Sequence, residues 1–350
     1  MPDQKNDSPE IKSVQREREK LLKKAQRLVY PLGHTRNKIA LISASVFLAF
    51  VVIFITISSI LVYVSKSESE FTYQVNKILP FPVGNLDGNI VTYDEYLFEL
   101  RPALHFLEQF GDLDPESNEY KDKADGFRKE AEQRIYINAL AENLAIENNI
   151  TVSDAEVDNV VANLKAQAGL ESIDQLTIGT DATTGPDNPR FEEILAQYHN
   201  WTINDLRRAL NIQLIKSKLP SKIDTETRDL ASTVASEAQD KPKKNFGKLA
   251  KEYSVDKNTA KEEGEIGELT EDTSIAYPKE FVQAANELKD GEVSDVVESY
   301  QGLHIIYRQD TSKDGLPVVS QILLQFEDPE VLLKDLLADS KEVDKYLEIN

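Results

Sequence analysis

The longest apolar stretch of the chain, residues 39–64, reads IALISASVFLAFVVIFITISSILVYV and contains no charged side chain. A helix of that length spans a hydrocarbon core about 30 Å thick, because each helical residue adds about 1.5 Å. The apolar segment of a cleaved signal peptide is shorter, and no A-x-A-like cleavage site follows in VSKSESEF. The pattern therefore predicts a transmembrane helix, with a cleaved signal peptide as the alternative.

Beyond a polar linker at residues 65–82, apolar positions recur at the helical period. The text GNLDGNIVTYDEY predicts a short hairpin that opens into a helix at Thr92, where Glu95 completes a capping box. A second, long helix is predicted over residues 119–148. Its apolar stripe consists of Ile137, Leu140, Ala141 and Leu144.

Two further helices complete this part of the chain. One begins at Ser153, where Glu156 closes another capping box, and the other begins at Thr202 and ends at Pro220. Between them, residues 177–189 are predicted to form a loop because of their Gly, Pro, Asn and Asp content. The simplest interpretation of these stripes is the core of one helical domain, residues 83–220.

The charge on the two sides of the apolar run is unequal. Residues 1–38 carry ten basic and five acidic side chains, which keeps this tail in the cytoplasm by the positive-inside rule. The rest of the chain has 30 basic and 56 acidic side chains, a net charge of −26. We therefore expect a single-pass membrane protein with most of its chain outside the cytoplasm. Its acidity argues against binding to nucleic acid, whose phosphates it repels.

The composition limits the available chemistry. The chain has no cysteine, which excludes disulfides, thiolate catalysis and cysteine metal sites. Its four histidines are scattered without metal-ligand spacing, and the acidic loop at residues 111–122 lacks the glycine and glutamate of a calcium loop. We expect no metal and no cofactor. The histidines are His34, His105, His199 and His304.

The order of the helical signals resembles the N-terminal chaperone region of the SurA, PrsA and PpiD group. The matching text is VGNLDGNIVTYDEY, RIYINALAENLAIENN and ITVSDAEVDNVVANL, within residues 83–165, followed by TINDLRRALNIQLIKSKL. The resemblance implies a domain that binds unfolded exported polypeptides.

A second resemblance covers about 65 residues from Asn245. NFGKLAKEYSVD, GEIGEL, PKEFVQAA, LKDGEVS and GLHII follow in the order of the parvulin prolyl isomerase pattern. Isomerisation of an X-Pro bond requires only that the planar amide be twisted, against a barrier of ~18–20 kcal/mol, and no covalent bond is made or broken. A site without a metal or a nucleophile can therefore catalyse it. The parvulin-like domain is predicted at residues 221–326.

The parvulin resemblance also implies a site. Substrate-binding positions are occupied by Phe281 as the floor of a proline pocket, Tyr277 and Leu269 as its walls, and Gln301 near a hydroxyl position of the family. Asp256 falls at the acidic or thiol position, His304 at the final-strand histidine, and Gln321 at the first-strand histidine. We therefore expect Asp256, His304 and Gln321 as catalytic residues.

The first parvulin strand is missing from its usual place, since SKLPSKID precedes the first helix of the domain. The later stretch VVSQILLQF either fills that place, which makes the domain circularly permuted, or is an added edge strand beside a degenerate first strand. A C-terminal helix within residues 327–350, with Pro329 at its first position, is expected to pack back on the chaperone domain.

The sequence thus predicts an α+β protein with an N-terminal transmembrane helix, a mostly α-helical chaperone domain and a parvulin-like α/β domain. The function that these parts predict is a membrane-anchored foldase that binds unfolded or proline-containing exported polypeptides and isomerises X-Pro bonds. Two alternatives remain open. One is a holdase whose parvulin-like domain binds peptides without catalysis, and the other is a structural envelope tether.

Overall fold

The structure is a computed structural model and describes residues 9–29, 32–174, 189–339 and 343–347. The predicted loop at residues 177–189 therefore falls almost entirely outside the described residues. The chain divides into two compact units, Met1–Val75 and Asn76–Asn350.

The first unit is helical. Helix α1 is Pro9–Val29 and helix α2 is Leu32–Tyr63. Within α2, Lys38–Tyr63 has a mean hydropathy of 2.8 and is long enough to cross a membrane, which agrees with the predicted span at residues 39–64. His34 belongs to α2.

The segment predicted as a plain linker contains a helix, α3, Glu70–Ile78. The hydroxyl of Ser69 accepts the backbone N–H of Thr72 at 3.2 Å, which caps the new helix. Glu70 in the first turn and Lys77 in the last turn complement the helix dipole. The prediction of a polar linker did not include this helix, because nine helical residues are too few for a periodic apolar signal.

The helical domain begins with the predicted hairpin. Strands β1 and β2 pair antiparallel, and the turn between them has Asp87 and Gly88 at positive φ, 51° and 89°. Glu95 accepts the backbone N–H of Thr92 at 2.7 Å, so the predicted capping box is confirmed. The elements are β1 Pro82–Leu86, β2 Asn89–Thr92, α4 Tyr93–Phe110, α5 Asn118–Glu147, α6 Asp154–Asp174, α7 Pro189–His199 and α8 Ile203–Lys218.

Two apolar stripes form the core of this domain as predicted. Ile137 and Ala141 on α5 are fully buried. Val157 and Val161 on α6 pack with residues of α7 and α8 in one buried cluster. The capping box of α6 is also present, since Ser153 donates its backbone N–H to Glu156 at 2.9 Å.

The second half of the chain forms a small α/β domain around a four-stranded antiparallel sheet in the order β3-β6-β5-β4. Helices α10 and α11 pack on one face of the sheet. Helix α14 contributes Phe281 to a second buried cluster. The elements are α9 Pro220–Ile223, α10 Thr225–Asp240, α11 Pro242–Tyr253, α12 Lys257–Ala260, β3 Glu265–Glu268, α13 Glu271–Ser274, α14 Lys279–Glu287, β4 Val297–Ser299, β5 Gly302–Thr311 and β6 Pro317–Leu324.

Strand β6 lies inside this sheet and is not an added edge. It pairs antiparallel with β5 on one side and with β3 on the other. The segment before α10 contains the short helix α9 and no strand. The last strand of the domain in chain order therefore occupies an interior position beside β5, the arrangement expected for a permuted first strand.

The chain enters and leaves the α/β domain side by side. The Asp224 carboxylate accepts the N–H of Thr227 at the start of α10 and the N–H of Glu327 after β6, each at 2.9 Å. Burial acts to raise the pKa of Asp224, but these hydrogen bonds outweigh it and leave the pKa below its usual value. The Asp224 carboxylate thus connects the segment that enters the α/β domain with the segment that leaves it.

The C-terminal segment returns to the helical domain. Helix α15, Pro329–Asp339, packs on α5 and α8, and Glu330 accepts from Lys216 at 2.7 Å. Strand β7, Val343–Lys345, then pairs with β1 and completes a sheet in the order β2-β1-β7. Gly84 on β1 has no space for a side chain, because Tyr136 and the backbone of Asp344 fill the position of a Cβ atom.

Candidate active site

An open cavity of about 380 Å³ lies where β6 meets the loops after α11 and α13. Gln321 and Leu323 face it together because alternate residues of a strand share one side, and Gln325 follows at the same spacing. The remaining lining residues come from loops and turns, and they are Val255, Asp256, Ala276, Tyr277 and Gln301.

The loop that carries Asp256 is pinned to β6. The N–H of Val255 donates to the carbonyl of Leu323 at 2.8 Å, and the N–H of Leu323 donates to the hydroxyl of Ser254 at 3.1 Å. Asp256 then caps the short helix α12, accepting from the N–H of Asn258 at 3.1 Å and the hydroxyl of Thr259 at 2.7 Å. These bonds fix the carboxylate at the cavity wall.

Gln321 connects Asp256 to His304. Its side-chain Nε2 donates to Oδ2 of Asp256 at 2.9 Å, and its Oε1 lies 3.2 Å from Nδ1 of His304. The carboxylate has no proton to give, so the amide NH₂ must face Asp256 and the amide oxygen must face His304. The hydrogen of the imidazole is thereby assigned to Nδ1.

Ser299 completes the chain on the other side of the ring. Its hydroxyl lies 2.7 Å from Nε2 of His304 and accepts the backbone N–H of Gln301 at 3.0 Å. With the ring hydrogen on Nδ1, Nε2 accepts from the Ser299 hydroxyl. All donors along Gln301, Ser299, His304 and Gln321 therefore point toward Asp256. We call this set the polar relay.

Electrostatics agree with that assignment. Burial lowers the pKa of His304, although the hydrogen bond that its Nδ1 donates to Gln321 and the charge of Glu280 act to raise it. For Asp256, burial acts to raise the pKa, but the hydrogen bonds from Thr259, Asn258 and Gln321 outweigh it and lower the pKa. The relay at neutral pH thus joins a neutral imidazole to a carboxylate.

The aromatic part of the site differs from the expected pocket. Tyr277 lines the cavity and stacks on Phe281 with ring centroids 4.8 Å apart. Phe281 is fully buried and meets the His304 ring edge-on at 5.3 Å. Leu269 is buried in the same cluster. Neither Phe281 nor Leu269 reaches the open cavity, so Tyr277 is its aromatic wall.

Of the seven predicted site residues, four line the cavity, namely Asp256, Tyr277, Gln301 and Gln321. His304 lies directly behind Gln321, whereas Phe281 and Leu269 lie behind Tyr277. Sequence reasoning missed Ser299. Its available signal was a hydroxyl residue at the end of β4, within the turn that leads to the histidine strand.

Exposed apolar side chains occur at the cavity lining and next to it in sequence. Val255 lines the cavity and is 39% exposed, while Ile275 and Tyr300, each next to a lining residue in sequence, are both 83% exposed. Within the described ranges, no three His, Asp or Glu side chains converge as metal ligands would. The lining thus combines polar groups with apolar contacts, both of which a peptide can use.

A family described as Rotamase, PPIC-type PPIASE domain, matches residues 214–310. This stretch of the chain is similar to a PPIC-type domain. Another family, described as the bacterial trigger factor protein C-terminus, matches residues 105–177 of the helical part. The predicted resemblance and the predicted α+β class are both confirmed. The PPIC-type match ends at residue 310, before β6, and begins within α8, where no strand is present.

Curated relatives include the foldase protein PrsA of Staphylococcus aureus strain bovine RF122 / ET3-1 and of strain MRSA252. Each is 31% identical over 173 residues, which covers 44% of this chain and 52% of the relative. The chain thus spans about half the length of the curated relatives that it matches.

Two solved structures are also similar. The peptidylprolyl isomerase PrsA of Bacillus anthracis is 18% identical, with 60% of this chain and 88% of that chain covered and a TM-score of 0.18. The foldase PrsA of Streptococcus pneumoniae is 16% identical, with 74% and 84% covered and the same TM-score, 0.18. These scores are too low to compare the overall arrangement.

Proposed function

We propose that the chain is a membrane-anchored foldase whose PPIC-type domain isomerises X-Pro bonds in exported polypeptides. The observation that carries the proposal is the polar relay, which ends in a carboxylate at the wall of an open cavity. The Asp256 carboxylate, the Gln301 and Gln325 amides and the Tyr277 ring all line that cavity.

The chemistry follows from amide resonance. In the planar amide, resonance places negative charge on the carbonyl oxygen, so an anion beside that oxygen disfavours the planar form. The Asp256 carboxylate, whose pKa is lowered, supplies such an anion. In the twisted form the proline nitrogen regains its lone pair, and amide N–H groups of the cavity glutamines supply donors for it. The Tyr277 ring offers the apolar contact for the proline ring.

Asp256→Asn tests this role in the full-length protein reconstituted in nanodiscs. We expect the catalysed isomerisation rate of a proline tetrapeptide, measured in a protease-coupled assay, to fall roughly tenfold or more, because one preorganised electrostatic group is lost. Asp272→Asn, an exposed acid on α13 of the same domain, is the matched control and should leave the rate unchanged. Equal rates for both variants would remove Asp256 from the mechanism.

For the helical part we propose a chaperone role on unfolded exported chains. The match to the trigger factor C-terminus and the strong acidity after the membrane span support it. The anchor at residues 39–64, with its basic N-terminal tail in the cytoplasm, is proposed from the apolar helix and the charge difference.

A holdase without isomerase activity is the second candidate, and a specific observation favours it. Phe281 is fully buried beneath Tyr277, and a glutamine stands where the resemblance implies a histidine. A holdase binds proline peptides in the cavity but leaves their cis/trans exchange rate unchanged, which separates it from the foldase.

A further inference from the structure

Helix α1 has an apolar stripe that neither the chaperone nor the isomerase proposal uses. At 100° per residue, Val14, Leu21, Leu22 and Ala25 fall within an arc of roughly 100°. Val14, Leu21 and Leu22 are 63%, 67% and 56% exposed. The stripe is therefore open on the described part of the helix.

The opposite side of α1 is cationic. Four exposed side chains lie on an arc centred roughly 170° from the middle of the apolar stripe, and they are Lys12, Arg16, Lys20 and Lys23. Over its whole length the helix has seven basic and three acidic residues. An apolar stripe opposite a basic face is the pattern of helices that lie in a membrane surface.

The short connection between α1 and the candidate membrane span limits how far α1 can lie from the membrane. The candidate span begins at Lys38, nine residues after Val29, the last residue of α1. Even a fully extended connection of that length reaches only about 30 Å. If α2 spans the bilayer, the C-terminal end of α1 stays within about 30 Å of the membrane surface.

We propose that α1 lies flat in the cytoplasmic surface of the same membrane, with its apolar stripe toward the acyl chains and its basic face among anionic headgroups. The inference rests on the proposed anchor. A second copy of α1 suits the stripe less well. Arg18 falls inside the apolar arc and would meet its own copy in a parallel pair, whereas on a bilayer its long stem reaches the headgroups.

The absence of cysteine makes a direct test available, because each single-cysteine variant of the full chain takes one label. We would label Leu21→Cys with an environment-sensitive fluorophore and reconstitute the protein in vesicles of phosphatidylcholine with or without phosphatidylglycerol. Lipids with a nitroxide near the headgroup should quench Leu21→Cys several-fold more strongly than the matched control Ser13→Cys, which lies on the polar side of α1 and removes no charge. This difference in quenching should be larger with the anionic lipid.

Charge removal gives an independent readout. In the Leu21→Cys background, Arg16→Gln and Lys20→Gln should each lower the ratio of docked to undocked helix about fivefold, and only in vesicles with phosphatidylglycerol. An unchanged ratio in both variants would overturn the role of the basic face.

Phe50→Cys separates failure of this inference from failure of the anchor. If a deep nitroxide lipid quenches Phe50→Cys while Leu21→Cys stays unquenched in anionic vesicles, the anchor stands and the surface helix is wrong. If neither label is quenched, the anchor fails and the inference fails with it. Disulfide crosslinking of Leu21→Cys between copies without lipid quenching would assign the stripe to self-association instead.

Discussion

At the scale of single residues, Gln321 decides the protonation of the site. Its amide accepts from Nδ1 of His304 and donates to Asp256, so it fixes one tautomer of the ring without titrating itself. A histidine at this position would itself gain and lose a proton near neutral pH. The site therefore keeps one charge, on Asp256, over a wider pH range.

The buried His304 predicts a pH dependence of stability. Its pKa is lowered in the folded state, whereas an unfolded histidine titrates near 6.5, so the unfolded state binds more protons as the pH falls below about 7. We expect the free energy of unfolding, measured by urea denaturation, to fall between pH 7.5 and 5.5 by up to about 1.4 kcal/mol per pH unit from this group. His304→Gln should show a smaller fall. An identical pH dependence in both proteins would contradict the buried neutral histidine.

Most of the relay was predictable from the parvulin resemblance, which implied Asp256, His304 and Gln321. Ser299 was not, because its role depends on a turn that brings its hydroxyl back to the ring. The resemblance implied Phe281 as the floor of the proline pocket, and in the structure Phe281 lies buried beneath Tyr277. Whether an aromatic side chain floors a cavity or lies beneath another ring depends on Tyr277, whose placement no sequence pattern encodes.

At the scale of elements, the interior position of β6 gives the α/β domain its order of strands. The turn before β3 approaches β6 so closely that a Cβ atom added to Gly264, which has a φ of +84°, would lie only 2.5 Å from the carbonyl oxygen of Gln321. The N–H of Gln321 donates to the carbonyl of Gly264 at 2.8 Å. This contact exists only because β6 fills the gap between β3 and β5.

A pair of glycines tests that contact. Gly264 and Gly267 have similar positive φ values, 84° and 90°, but Gly267 has open space around its Cβ position. Gly267→Ala should cost about 1–2 kcal/mol of stability from backbone strain alone. Gly264→Ala should cost roughly 1–3 kcal/mol more because of the collision with β6. Thermal denaturation of the two variants measures the difference, and equal costs would mean that β6 does not pack there.

The helices α4, α5, α6 and α8 of the helical domain were predictable because each has several turns of periodic apolar positions or a capping box. Helix α1 was not predicted, although its apolar positions also recur at the helical period. Strand β7 and helix α3 were not, since three and nine residues carry too little pattern. The sequence left two positions open for β6 in the sheet, at an edge or in the interior. Its β-branched residues suit both positions equally well. Its pairing with both β3 and β5 shows that it is an interior strand.

At the scale of the whole molecule, the α/β domain is inserted into the helical one. After α8 the chain forms the α/β domain and then returns to the helical domain as α15 and β7. Asp224 connects the entering and the leaving segments by its hydrogen bonds to Thr227 and Glu327. Because α15 packs on α5 and α8, the C-terminal segment belongs structurally to the helical domain.

This organisation predicts that the helical domain survives removal of the insert. Deletion of residues 221–326, with Pro220 joined to Glu327 through a short Gly-Ser linker, should leave a protein that melts cooperatively and still delays client aggregation in a light-scattering assay. A matched deletion that also removes residues 327–350 should be less stable, because it lacks α15 and β7. Loss of cooperativity in the first deletion would mean that the two domains share one core.

The most direct test of the foldase account is two-dimensional exchange NMR on a proline peptide mixed with a catalytic amount of the full-length protein in nanodiscs. The account predicts cis/trans exchange cross-peaks that are absent for the peptide alone and that weaken strongly with Asp256→Asn but persist with Asp272→Asn. Shifted peptide resonances that demonstrate binding, together with an unchanged exchange rate, would contradict it.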